Sequence, residues 1–448
     1  MGVVYVVHAV DAEGPLVEDL EATFERIKNI FDISIEPSKK NLLHMQKGEL
    51  DLGDKTPLIR SLLSPQNLSN LGDWNSIKLM QDRLCSQQFR NILPDCDGNG
   101  WVYSWFCVDH VGYEANPRKR DLGHHKVFDR YKSLVSIPGN NKDGIYFHYH
   151  PLPHNKLAHS SATLYLNSNH IFEIIARKII ERQWFPTVFR AGFHAQRTDS
   201  NWFLEQWIPF DYSNQATHKP NKQPDLAEGR FSDWRRAPKN WLGYHPSHDD
   251  YQTPGKCRRL LFRCLSLQGR SPVLEQNDVE QSFEDAEKHG SSILAFTNHD
   301  FQQIEPDINR VREMIKTAME NWPGVKIKYM NAREAAINHA KVKKVENVGL
   351  TISFAVLSSS CSRLAVQTKT KIFGPQPFLA IRDRSGNYFY DNFDFGINPN
   401  SWHYTFDWQT FPLCTLEQIA VAITTSDANA EIALYNVKED LISYHGLN

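Results

Sequence analysis

The stretch VVYVVHAVDAEGP, residues 3–15, decides the fold. Residues 3–10 are apolar for a strand's length apart from His8, Gly14-Pro15 signals a turn, and LVEDLEATFERIKNIF (16–31) places apolar residues at helical spacing. This reads as strand, loop, helix. The pattern returns in YFHYH (146–150), the helical NHIFEIIARKIIERQ (169–183), TVFRAGFHA (187–195) and the helical NDVEQSFEDAEKHG (277–290), capped by Asn277 or Asp278. SILAFTNHD (292–300), EPDINRVREMIKTAMENW (305–322), VKIKYMN (325–331) and AREAAINHA (332–340) continue the alternation. Strands alternating with helices predict an α/β fold, a parallel sheet or barrel with its functional residues at the C-terminal ends of strands.

After about residue 345 the texture changes. TISFAVL, RLAVQTKTKIF, FLAIRD, YFYDNF, WHYTFDW, IAVAITTS and EIALYNV are short strand-like runs between turns, which predicts a C-terminal β-sandwich over 345–448. Each part has apolar residues enough for a core of its own, so residues 1–344 are expected to fold without the sandwich. The segments at about 35–130 and 214–256 have weak periodicity and are too long for simple connections, so they read as functional insertions.

The chain has 448 residues, about three times a typical domain. Its 50 basic and 52 acidic residues nearly cancel, so no global field draws it to nucleic acid. No run approaches the roughly 18 apolar residues of a membrane span. Without a basic leader or signal-peptide core at its start, and with seven scattered cysteines never in a C-x-x-C pair, the chain is expected to be cytoplasmic.

Four features fall at strand ends. Asp11 and Glu13, at i and i+2 of an extended segment, point to one face and suit a base and a metal ligand. In FHYHPLPH (147–154), His150 and His154 are spaced to share a helical turn, and His148 and His150 to share a strand face; the first pair is the expected one. Arg190 in FRAGFH (189–194) would orient a carboxylate base, and His299 closes a strand where a general acid can stand. DCDGNG (95–100) begins like a calcium loop, but Phe106 occupies the twelfth position, where the loop needs glutamate. Arg118-Lys119-Arg120 reads as a solvated face, or beside a pocket as a holder of a substrate phosphate or carboxylate.

The order of these motifs resembles the polysaccharide deacetylase superfamily with the NodB-homology fold, a distorted (β/α) barrel carrying a divalent metal, over roughly residues 1–345. HVGYEANPRKRDLGHHKVFDRY (110–131) and DWRRAPKNWLGYHPSHDDY (233–251) are similar to a branch linked to bacterial surface-polysaccharide biosynthesis. The resemblance implies Asp11 as general base, Glu13, His150 and His154 as ligands of a metal such as Zn²⁺, Arg190 orienting Asp11, and His299 as general acid with Asp300 favouring its imidazolium form. It implies a substrate wall of His148, Phe193 and His194, and a further acid, Asp233 beside Trp234. Ala12 between the two carboxylates, and Ala191-Gly192-Phe193-His194 in the third motif, depart from the family pattern. The implied function is removal of an N-acetyl group from a sugar or polysaccharide intermediate. The alternatives are an amidohydrolase of this fold acting on a small cyclic amide, and a catalytically silent carbohydrate-binding barrel. Tyr388, Phe389, Tyr390, Trp402, Tyr404 and Trp408 would either stack on sugar rings or fill the sandwich core.

Overall fold

The structure, a computed structural model, describes residues 2–158, 160, 162–166, 169–218, 233–268 and 273–447. Residues 219–232 of the second expected insertion lie outside this set. Nine strands form the first sheet: β1 (Val3–Ala12), β2 (Tyr103–Cys107), β3 (Gly144–Tyr149), β4 (Val188–Ala191), β5 (Phe210–Asn214), β6 (Leu260–Arg263), β7 (Leu265–Ser266), β8 (Ser291–His299) and β9 (Lys326–Tyr329). All their pairings are parallel, in the order β6-β5-β4-β3-β2-β1-β8-β7, and β9 pairs with β1. Cys264 alone separates β6, which pairs with β5, from β7, which pairs with β8. The sheet therefore curls into a nearly closed barrel.

Four of its strands, β2, β5, β6 and β7, were not legible in the sequence. β2 lies within the expected insertion at 35–130, yet it sits between β1 and β3. Its residues YSWFC are all buried, so it lacks the alternation that marks a half-exposed strand. β6–β7 falls between Pro/Lys-rich and Gln/Gly/Arg-rich segments that mask a short apolar run. The rest of 35–102 is mostly short helices, including Lys39–Lys47, Thr56–Leu62 and Trp74–Leu84, of which the first and last are capped by Ser38 and Asp73. The calcium-like loop is a turn: the Asp95 carboxylate accepts the amides of Asp97 and Asn99 and, across the barrel base, of Tyr329.

The first helix, Leu20–Phe31, starts four residues later than its apolar spacing predicts, because the Asp19 side chain accepts the Ala22 amide and fixes the start. Helix Gln276–His289 is capped by Glu275, not by Asn277 or Asp278; Asp278 instead accepts the Glu275 amide, completing a capping box.

Strand alternation divides the barrel core. Val7, Ala9, Tyr146, Val188, Ile293 and Ala295 belong to one interior cluster. Val6, Val10, Leu294 and Phe296 pack outward against helices, and so do Phe147 and Phe189 in a separate cluster.

The C-terminal region forms two antiparallel sheets. One runs β10 (Thr351–Ser358), β11 (Cys361–Gln367), β15 (Ser401–Phe406), β14 (Asp394–Phe395); the other runs β13 (Tyr388–Asp391), β12 (Phe378–Asp383), β16 (Leu416–Thr424), β17 (Ala430–Asn436), β18 (Leu441–Leu447). Leu364, Trp402, Leu379 and Ile419 share the core between them. The outer face of the second sheet is covered by the barrel: Phe378, Ala380, Ala420 and Ala422 pack with Ile174, Ile175 and Trp207 in one buried cluster. Phe378 meets Trp207 edge-on at 4.9 Å and Tyr390 stacks on Phe172 at 4.6 Å. Of the aromatics considered for sugar stacking, Trp402 and Tyr404 are core, Tyr388 and Tyr390 pack at the seam, and Trp408 is exposed.

Ending the chain at residue 344 would uncover the barrel side of this shared core. A chain ending there should aggregate or unfold without a cooperative transition, as seen by near-UV circular dichroism during heating. In the full chain, Phe378→Ala should cost about 3–5 kcal/mol in urea unfolding; a truncated chain that unfolds cooperatively at the full-length midpoint would show the seam to be dispensable.

Candidate metal centre

Continuing the interior face of β1 beyond Val7 and Ala9 brings Asp11 and then Glu13 to the C-terminal mouth of the barrel. The same step of two along β3 gives Tyr146, His148 and His150, along β4 Val188 and Arg190, and along β8 Ala295, Thr297 and His299. Register aligns them, with Asp11 opposite His299 and His148 opposite Arg190. Asp11, Glu13, His148, His150, Phe193, His194 and His299 all line one cavity.

Glu13, His148 and His150 form a group that could hold a metal ion. His148 Nε2 lies 3.0 Å from His150 Nε2 and 3.7 Å from Glu13 Oε1, and His150 Nε2 lies 3.3 Å from that oxygen. The circle through three atoms so spaced has a radius of about 2 Å, the length of a Zn–N or Zn–O bond. His148 Nδ1 donates to the Arg190 carbonyl oxygen at 2.9 Å, which orients the ring so that Nε2 faces Glu13 and His150. Two imidazole nitrogens and a carboxylate oxygen are a donor set suited to a divalent cation.

His154 is not part of this group. It is exposed in a turn beyond the strand. Pro151 and Pro153 precede it where an i,i+4 ligand pair would need a continuous helical turn. The strand pair His148 and His150 converges instead, and His148 joins the ligand-type cluster where a place in the substrate wall was expected.

Gly192 makes room for this arrangement. A Cβ there would come within 2.4 Å of the His150 ring. The two residues that follow, Phe193 and His194, have φ of 51° and 52°, a left-handed turn that brings the Phe193 ring edge-on to His150 at 5.1 Å.

Arg190 Nε donates to both Asp11 oxygens, at 2.7 and 3.0 Å, and its Nη1 donates to the Tyr212 carbonyl at 2.8 Å. Burial raises the pKa of Asp11, and Arg190, His148 and His299 more than offset this, holding it below the ordinary carboxylate value. Glu13 is buried too, and Arg120 with the two histidines drives its pKa well below the usual range. Arg120, one member of the basic triplet, lies 2.5 Å from Glu13 Oε2 and is buried, so the opposite oxygen is the one turned to the histidines. This role for Arg120 was not legible: its partner is 107 residues away.

His299 Nε2 stands 3.9 Å from Asp11 Oδ2 and 3.8 Å from Glu13 Oε1, with a third of its side chain open to the cavity. Burial lowers its pKa, against the pull of Glu13 and Asp11. Asp300 does not face it. The Asp300 carboxylate accepts the amides of Glu13 and Gly14 at 2.9 Å and the Tyr131 hydroxyl at 2.7 Å, and burial pushes its pKa up to about 6. It holds the chain that carries Glu13 and is no partner for His299.

Asp233 and Trp234 sit apart from the centre. Asp233 pairs with the exposed Arg235, whose hydrogen bonds bring its pKa to about 2. Trp234 Nε1 donates to the His194 carbonyl, which braces the wall from behind. The carboxylate on the neighbouring strand is Asp211, which accepts from Ser213 at 2.5 Å while Ser213 Oγ accepts the Ala191 amide, fixing the end of β4. A second ligand-type group, Glu205, His248 and Cys257, is differently committed. Arg259 pairs with Glu205 at 2.8 Å, and burial pushes the Cys257 thiol up to about 11, so the group reads as structural.

Searches against protein-family models and curated proteins return no match. Among the described residues no helix is long and apolar enough to cross a membrane.

His148→Ala and His150→Ala should each bind Zn²⁺ at least about tenfold more weakly than His154→Ala, measured by competition with a chromogenic chelator. Gly192→Ala should resemble His150→Ala. Tight binding kept in His148→Ala and lost in His154→Ala would move the site off the strand.

Proposed function

We propose that the chain is a metal-dependent hydrolase that removes an N-acetyl group from a sugar or polysaccharide intermediate, in the manner of the polysaccharide deacetylases its motif order resembles. The observation that carries this reading is the placing of an ionised, arginine-clamped Asp11 beside Glu13, His148 and His150, with His299 across the same cavity.

Glu13, His148 and His150 would hold the metal, most simply Zn²⁺, which when bound supplies a Lewis acid that polarises the amide carbonyl and acidifies water. Asp11, kept unprotonated by Arg190, takes the proton of the attacking water. Arg190 Nε donates to both Asp11 oxygens and so restrains the rotation of the carboxylate. His299 delivers a proton to the departing amine, so that amide and water become amine and acetate. Phe193 and His194 line the cavity beside the centre as the substrate wall. Seven cysteines that form no disulfide fit a reducing, cytoplasmic setting.

Asp11→Asn should lower acetate release from an N-acetylated sugar by about 10²–10⁴-fold and leave Zn²⁺ content unchanged. Acetate release near the wild-type rate would remove Asp11 as the base. No acetate release from any N-acetylated sugar by the unaltered protein would remove the deacetylase, and no stoichiometric metal besides would favour the silent barrel.

A further inference from the structure

The cavity extends past the centre to a wall built from the first helix and the loop that carries the basic triplet. Glu18, Arg26 and Arg118 line it there. Arg26 donates to Glu18 Oε1 from Nε at 3.0 Å and from Nη2 at 2.5 Å, and Arg118 Nε lies 2.8 Å from Glu18 Oε2. All three side chains are largely buried, at 9%, 14% and 4% exposure for Arg26, Arg118 and Glu18. Two guanidinium groups thus share the carboxylate of Glu18.

The loop is built to present these groups. The Asn116 side chain accepts the Arg120 amide and donates to the Arg120 carbonyl, both at 2.8 Å, and Lys119 between the two arginines has a φ of 49°. Arg118 thereby reaches Glu18 while Arg120 reaches Glu13. These arginines are two residues apart, so their Cα atoms are at most about 7 Å apart. A cationic wall so close to the metal-type centre, and so poorly solvated, strongly favours a negative group in the cavity.

We infer that the substrate carries an anionic group, a carboxylate or a phosphate ester, which seats against Arg26 and Arg118 while its N-acyl group lies at the Glu13, His148 and His150 centre. The inference rests on the deacetylase reading for the position of the acyl group. A neutral sugar makes no ionic contact with the two arginines and binds more weakly. Glu18 tempers the site: it holds the arginines in place and competes with the anion for them.

The test is calorimetric, with Zn²⁺-loaded full-length protein and three probes: N-acetylglucosamine, N-acetylglucosamine 1-phosphate and N-acetylmuramic acid. At least one charged probe should bind about tenfold or more tightly than the neutral sugar, and the tighter of the two identifies the phosphate or the carboxylate as the group recognised. Arg118→Gln should abolish this preference. Glu18→Gln, which removes the competing carboxylate and keeps both arginines, should increase it. A purely structural triad would instead weaken binding in both variants alike, and thermal unfolding confirms that each is folded. Three probes bound within about twofold of one another, or a Glu18→Gln that weakens anion binding as Arg118→Gln does, would overturn the inference. Acetate release is scored separately. A charge preference without acetate release keeps the anion site and removes the deacetylase, and acetate release without charge preference does the reverse.

Discussion

A β-strand returns its side chains to the same face every second residue, and the candidate centre depends on that period. Asp11 and Glu13, His148 and His150, Arg190 and His299 are interior-face positions of four strands, carried past the apolar plug of Val7, Ala9, Tyr146 and Val188 to the barrel mouth. A shift of one residue in any strand would turn its functional group into the helix layer. The parallel register, with Asp11 beside His299 and His148 beside Arg190, then fixes which groups meet. β2 contributes no ligand, but Phe106 on its inner face lies opposite Asp11 and Tyr146 and fills the barrel beneath the site.

Polar groups at this depth survive by pairing. Arg190 with Asp11, Arg120 with Glu13 and Arg259 with Glu205 are arginine–carboxylate pairs almost withdrawn from solvent. Such pairs add little net stability compared with apolar packing, but losing one partner strands a buried charge at a cost of about 3–5 kcal/mol. At the centre their value is direction: Arg120 takes Glu13 Oε2 and leaves Oε1 to the histidines, and Arg190 Nε holds both oxygens of Asp11. Asp300 does the corresponding work on the backbone, gathering the Glu13 and Gly14 amides and the Tyr131 hydroxyl.

The seam extends the same dependence to the C-terminal sheets. Helix His170–Arg182 has one side on β3 and β4 through Phe147 and Phe189, and it also packs on the second sheet through the cluster that includes Phe378 and Ala420. Thr424 Oγ1 donates to the Trp207 carbonyl at 2.6 Å, and Arg333 Nε donates to the Ala428 carbonyl at 2.9 Å, so the seam is hydrogen-bonded as well as apolar. The strands that present His148 and Arg190 are therefore braced by a sheet that begins 188 residues beyond Arg190 in the chain.

By itself the sequence determined the local features: the first strand with carboxylates at i and i+2, the alternation of strands and helices that makes an α/β barrel, the change to antiparallel strands after 345, and the strand-end arginine and histidine. These depend on hydrophobic period, caps and turn residues within a few positions of each other. Only the tertiary structure decided which histidines converge, because His150 is compatible with either neighbour until Pro151 and Pro153 are seen in a turn and the strand face is seen to run on from Tyr146. Only it revealed β2, whose wholly buried residues carry no alternation, and the partners of Arg120 and Asp300. Those contacts join residues between 107 and 287 positions apart, and their existence depends on barrel register, which no local pattern encodes.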